Sequence, residues 1–151
     1  MIELTPSADY SLIASVATHP RLYKWLVDDG SPSAEAFVPD PRMLYLLVRE
    51  DGDLLGLFMF EARNAVTWEV HTALLPHAWG ERARTIAAAV VDWLKLNTSI
   101  RRLITTVPAY NRAALRFAED AGLVRFGVDE KSFLRKGKLW NQILLGLSLE
   151  R

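Results

Sequence analysis

The sequence predicts one α/β domain, an α+β sandwich built on a mixed sheet. Three observations point there. Two apolar runs of strand length, residues 43–50 and 54–62, flank Asp51-Gly52-Asp53, a turn signal that joins antiparallel strands. A strand, long helix, strand succession spans residues 66–107, and a crossover of that kind is right-handed and sets its two strands parallel. A last apolar segment, 132–149, turns on Lys136-Gly137-Lys138 and reads as a closing hairpin.

A short strand is expected at residues 2–4. Residues 8–28 then carry Leu12, Ile13, Val16, Leu22, Trp25 and Leu26 at helical spacing, broken at His19-Pro20, so they read as one or two helices. Residues 29–41, rich in Pro, Ser and Asp, are a loop. After the hairpin, a third strand at 66–75 stops at Pro76. The helix that follows, about 79–97, shows an apolar stripe of Ile86, Val90, Val91 and Leu94 flanked by Ala83 and Ala87. A strand at 101–108 ends on Pro108. Asn111 suits the N-cap of the next helix and Gly122 its C′ stop. Residues 123–128 start the next strand.

Composition limits the chemistry. The 151 residues are half apolar and 24% charged, ordinary for one globular domain with its own core. The chain has no cysteine, which excludes disulfides, thiolate zinc sites and a cysteine acyl-enzyme. Three histidines and no HExxH leave no metal expected. No apolar run approaches the roughly 18 residues of a membrane span. The start, MIELTPSADY, lacks the basic and apolar regions of a signal peptide, so a cytoplasmic protein is expected. The net charge is zero but split. Residues 1–75 hold 5 Lys/Arg and 11 Asp/Glu, a balance of −6; residues 76–151 hold 13 and 7, a balance of +6. An acidic half suits a cationic amine and a basic half suits a polyphosphate, unless both are only solvated faces.

The third strand is the informative one. Side chains alternate along a strand, so Trp68, Val70 and Thr72 share one face and Glu69, His71 and Ala73 the other. A strand inside a crossover unit is ordinarily apolar throughout. Glu69 and His71 break that pattern, and burying them costs free energy unless they pair or face a wet cleft. They are either a structural pair or a general base and its partner. The turn after the strand, residues 76–84, opens a helix whose free N–H groups suit a phosphate; Gly80 permits close approach, and Arg82 and Arg84 add charge.

From about residue 43 to 147 the chain resembles the GCN5-related N-acetyltransferases (GNATs). The order hairpin, strand, Pro, Gly-containing turn, long helix, strand, Asn-capped helix and final hairpin is similar to theirs. The most specific likeness lies in residues 107–127, where Asn111, Ala114, Phe117, Gly122 and Leu123 stand at the family's spacing. The ending FLRKGKLWNQILLGL resembles the last hairpin of enzymes that acetylate protein N-termini, including those of ribosomal proteins, and similar small proteins occur in phages and prophages. The resemblance implies a mostly antiparallel central sheet with helices on both faces and one splayed parallel pair, with acetyl-CoA in the gap. The backbone of Ala73, Leu74 and Leu75 would bond the pantetheine arm. The amides of Trp79, Gly80, Glu81, Arg82, Ala83 and Arg84 would surround the pyrophosphate, and Asn111 would contact the cofactor arm. Two features depart from the family. Counting from Pro76, Trp79 stands in the place of a Gln or Arg, and Arg82 and Arg84 in the places of small residues; counting from His77, Gly80 fits and Arg82 does not. Ala118 stands where many members carry a tyrosine acid, and Tyr110 reads as an exposed loop aromatic.

The function so implied is transfer of an acetyl group from acetyl-CoA, as cosubstrate, to a primary amine in a ternary complex. Glu69 would take the ammonium proton, directly or through a water, with His71 as partner or alternative base, and a backbone N–H near Leu74 would stabilise the oxyanion. The thiolate, with an ordinary thiol pKa of about 8.5, leaves without a dedicated acid being indispensable. The acceptor is an amine-bearing small molecule or a protein N-terminus. The alternative is a non-catalytic module of the same fold, possibly from a phage. No nucleic-acid-binding motif accompanies the basic half, and no membrane partner is expected. The apolar final hairpin, with Trp140, Ile143, Leu145 and Leu147, would be a liability as a bare edge, so a helix or a second subunit, as in a homodimer, is expected over it.

Overall fold

The computed structural model describes residues 1–150. The chain runs β1 (Ile2–Ser7), α1 (Tyr10–Ala17), α2 (Pro20–Leu26), β2 (Leu44–Glu50), β3 (Asp53–Ala62), β4 (Thr67–Leu74), α3 (Glu81–Asn97), β5 (Arg102–Pro108), α4 (Arg112–Asp120), β6 (Val124–Arg135) and β7 (Lys138–Ser148). The seven strands form one sheet in the order β1-β2-β3-β4-β5-β7-β6. Every neighbouring pair is antiparallel except β4 and β5.

Local chemistry accounts for the boundaries. The Asp9 side chain accepts from Leu12 N–H and caps α1; Thr18 ends it. The break expected at His19-Pro20 is there: the His19 imidazole accepts from Arg21 N–H and caps α2, where Pro20 fits the first turn. Asn111 caps α4 by accepting from Ala114 N–H, as expected. Gly122 follows α4 at φ +99°, a left-handed conformation that suits glycine.

The sheet separates two cores. Val70 and Leu74 of β4 pack with Ile86, Val90 and Leu94 of α3. On the other face, Ala73 joins Leu57, Met59 and Tyr45 against Ile13 and Val16 of α1 and Leu22 of α2. A third cluster seats Leu115 and Ala118 of α4 on Val107 and Leu145.

β4 and β5 pair only at Thr67–Arg102, Trp68–Leu103 and Glu69–Ile104. Beyond Glu69 they part, so the splay opens five residues before Leu74 instead of beside it. The Thr105 hydroxyl donates to the Val70 carbonyl at 3.0 Å just past the fork.

The final hairpin differs from expectation. β7 lies between β5 and β6, so its apolar residues are not at an edge. Leu145 is fully buried under α4. The edge strand is β6, which starts at Val124 and is twice as long as the sequence suggests because it runs on to Arg135. It is broken by register shifts at residues 125–127 and 129–133, which twist an edge and discourage further pairing.

Candidate active site

The splayed strands bound a cleft of about 250 Å³ that passes through the sheet. Glu69, His71 and Thr72 line it from β4, Thr105 and Thr106 from β5. One mouth is lined by Trp25, Leu26 and Phe133; the other runs between α3 and α4.

Glu69 and His71 share one face, as strand alternation requires. The Glu69 carboxylate is the buried charged group of the described core, at 7% exposure. His71 Nε2 lies 3.2 Å from its Oε2, and Arg63 Nη2 lies 2.7 Å from its Oε1. The bond from His71, opposed by burial and assisted by Arg63, holds the carboxyl below the ordinary carboxylate range. Glu69 is therefore held in its ionised form at neutral pH. His71 Nε2 is the ring nitrogen turned to Glu69, and in the neutral imidazole that donates from it the lone pair lies on Nδ1.

Arg63 escaped the sequence reading, although a signal exists. The β3–β4 register sets Glu61 directly opposite Glu69. Like charges facing each other across a ladder repel, so a cation is required nearby. Arg63, in the turn between those strands, supplies it, reaching Glu61 at 3.7 Å as well. Asn64 holds this turn by accepting from the N–H groups of Val66 and Thr67. Ligand atoms of Glu61, Glu69 and His71 lie within 4.8 Å of one another, the spacing of a metal site, but the Arg63 guanidinium already bridges the two carboxylates.

The residues expected at the cofactor fall into two groups. Leu75 N–H is bonded to the Leu55 carbonyl of β3, which removes it as a pantetheine donor. Backbone groups alternate between the edges of a strand, so those of Leu74 and Thr72 face the open gap. The Leu74 carbonyl is taken, however: the Trp79 indole N–H donates to it at 2.8 Å. The Leu74 N–H and the Thr72 backbone are what β4 presents to a ligand. Ala73, by the same alternation, turns its backbone to β3 and its side chain into the α1 core.

At the start of α3, Gly80 sits at φ +84°, where a side chain would be strained. The N–H groups of Ala83 and Arg84 turn back to the Gly80 carbonyl, so only Gly80, Glu81 and Arg82 offer first-turn donors of the kind a phosphate accepts. Neither arginine side chain is uncommitted. Arg82 Nε and Nη2 both reach Glu50 Oε1, at 3.1 and 2.8 Å. Arg84 pairs with Glu81 at 2.9 Å and Asp120 at 3.2 Å. Arg21 of α2 lies 5.0 Å from the Trp79 ring centroid and is a further cation at this loop.

Asn111 lines the cleft, but its Oδ1 is used in capping α4. Tyr110 is no surface aromatic. It sits among Trp25, Phe133 and Trp140, at centroid distances of 6.2, 6.1 and 5.1 Å, with its hydroxyl buried and without a hydrogen-bond partner among the described residues. Arg135 is wedged against this cluster, 4.4 Å from the Tyr110 centroid and 4.9 Å from that of Trp25. Asp29 fixes the neighbouring β6–β7 turn by accepting from Lys136 and Gly137 N–H at 2.7 and 2.9 Å.

Comparison with known proteins places this geometry. A family model described as "Protein of unknown function (DUF2824)" matches residues 12–140. A search of curated protein sequences finds no match. Among solved structures, the chain is similar to spermidine N-acetyltransferase from Vibrio cholerae in complex with CoA and spermine. That likeness has a TM-score of 0.79 at 16% identity, covering 98% of this chain and 95% of the other. It is similar also to an acetyltransferase of the GNAT family from Streptococcus pneumoniae, with a TM-score of 0.74 at 14% identity over 99% and 100% of the two chains. A GNAT-family acetyltransferase from Bacillus anthracis gives 0.62 at 19% identity over 73% and 68%. The fold is the GNAT fold.

Proposed function

The chain belongs to the DUF2824 family, and we propose that it is an acyl-CoA-dependent N-acyltransferase whose acceptor is a primary amine. The observation that carries this reading is the fork after Glu69–Ile104, which opens the sheet beside the buried Glu69 and its half-exposed partner His71 and ahead of the α3 N-terminus. One feature supplies a place for a thioester, the second a proton acceptor, the third donors for a pyrophosphate.

The residues divide the work as follows. The Gly80–Arg82 amides bind the pyrophosphate, and the pantetheine arm bonds the Thr72 backbone. CoA, when bound, supplies the activated acyl group. The amine enters by the mouth lined by Trp25, Leu26 and Phe133. His71 takes its proton through Nδ1, and Glu69 stabilises the imidazolium and holds the ring. The freed nitrogen attacks the carbonyl carbon; the N–C bond forms, the C–S bond breaks, and the departing thiolate takes the nitrogen's second proton and leaves as the thiol. The Leu74 N–H, on the gap side of β4, would donate to the oxyanion. This reverses the roles expected from sequence, because the paired, low-pKa Glu69 is the poorer base.

A second reading has one specific support. Trp79 occupies the Leu74 carbonyl, and Arg82 and Arg84 are engaged by acidic partners, as in a module that retains the fold without turnover. Thiol release from acetyl-CoA separates the two. The test is a panel of primary amines, starting with spermine and spermidine and including peptides with free N-termini. Acceptor-dependent release that His71→Asn abolishes supports the enzyme. CoA binding with no release across the panel favours the module.

A further inference from the structure

At the tip of the β6–β7 hairpin, beside the mouth lined by Trp25, Leu26 and Phe133, two like charges face each other. Arg135 and Lys138 stand directly opposite across the ladder. Like charges so placed repel. In the Glu61–Glu69 pair the chain answers that repulsion with Arg63. Here no acid answers: among the described residues neither Arg135 nor Lys138 forms an ion pair. The nearby acids are committed elsewhere. Asp29 gives its two oxygens to the Lys136 and Gly137 N–H groups and senses the Arg135 charge without pairing with it. Asp28 accepts from the Gly30 N–H and the Ser31 hydroxyl.

Arg135 rests instead on the faces of Tyr110 and Trp25, and Lys138 lies 4.0 Å from the Trp140 ring centroid. A ring face attracts a cation but carries no net charge, so it orients the guanidinium without neutralising it. Strand alternation ties Arg135 to the cleft. Phe133 and Arg135 are two residues apart on β6 and share a face. Phe133 lines the same cleft as Glu69 and His71, and Arg135 stands one pleat, about 7 Å, nearer the hairpin tip. An acceptor whose nitrogen reaches His71 would extend its other end past Phe133 toward this half-buried guanidinium, whose planar fork matches a carboxylate.

We propose that the acceptor is a primary amine that also carries a carboxylate, and that Arg135 selects it. The inference rests on the acyltransferase reading and narrows its substrate class. It sets this chain apart from the spermidine enzyme of the same fold, because a polyamine would bring a second ammonium against Arg135 and Lys138.

The test compares acceptors that differ only at the far end: glycine, γ-aminobutyrate and ε-aminohexanoate, their amides, and the diamines of the same chain lengths. Each is assayed for thiol release from acetyl-CoA. In the set whose length spans the two groups, the carboxylate is expected to lead the amide by about 10–100-fold in kcat/KM, chiefly through KM, with the diamine last. Arg135→Gln should bring the carboxylate-to-amide ratio to about one, and Arg135→Lys, which keeps the charge, should retain part of it. Should Arg135→Gln not fold, Lys138→Gln, at an exposed position, should lower the ratio in the same direction. Release as fast or faster with the amides, the diamines, the polyamines or peptides overturns the carboxylate assignment and leaves the acyltransferase reading standing. A ratio untouched by these substitutions overturns Arg135 as the selecting residue. No release with any of these amines overturns both readings.

Discussion

Two carboxylates, Glu61 and Glu69, face each other across β3 and β4, and Arg63 and His71 make that arrangement tolerable. The pairing has a consequence for each role. His71→Asn removes the proton acceptor and should lower kcat/KM by about 10²–10⁴-fold, with partial recovery at high pH where the amine is already free. Glu69→Gln keeps size and hydrogen-bonding reach but loses the charge that favours the imidazolium, and should cost about tenfold. A pH–rate profile of both variants with an accepted amine checks this; a larger loss for Glu69→Gln would return the base to Glu69. Stability responds too. The folded-state pKa of Glu69 is depressed, so its contribution is fully present above the unfolded-state pKa and is lost as pH falls through the folded value. Denaturant unfolding should therefore show a larger gap between wild type and Glu69→Gln at pH 7 than at pH 3. That the two residues share a face was legible from alternation alone. That Arg63 also pairs with Glu69 was not, because that cation lies in a turn and matters only through the β3–β4 register.

At the scale of elements, turns and caps were readable where one residue decides them. Asn111, Gly122 and the Asp51-Gly52 turn are of that kind. Long-range partners were not readable: Arg82 reaches Glu50 and Arg84 reaches Asp120, contacts that exist only once α3 lies on the sheet. The order of β7 and β6 was missed for a similar reason, since a hairpin's sequence does not say which of its strands joins the sheet. Gly56 shows how tightly β3 and β4 are fitted. It sits at φ +140°, and a Cβ there would run into the Ala73 carbonyl oxygen and the Leu74 Cα. Gly56→Ala should destabilise the protein by about 2 kcal/mol or more through strain and overpacking. It should also disturb the Leu74 backbone. A shift in the denaturant midpoint tests the first effect, and weaker CoA binding relative to wild type tests the second. A variant as stable as wild type would show that the strands part more easily than this packing implies.

Across the whole molecule, the charge split of the sequence does not become a free basic patch. Much of the positive charge at the start of α3 is matched by Glu50, Glu81 and Asp120, so a pyrophosphate bound there would rest on backbone N–H groups more than on side chains. The fold class, the element order and the parallel pair were legible because hydrophobic period and turn residues agreed along the chain. The through-sheet cleft was not, because it depends on where two strands stop pairing. No helix is long and apolar enough to cross a membrane. The central claim is that the fork between β4 and β5 and the start of α3 form a CoA site, and thermal unfolding with added CoA tests it most directly. At 100 times the dissociation constant, binding stabilises a protein by about 2.7 kcal/mol. For a chain of this size that raises the Tm by roughly 5–10 °C. The account predicts a rise of that order, growing with CoA concentration; an unchanged Tm at millimolar CoA would contradict it.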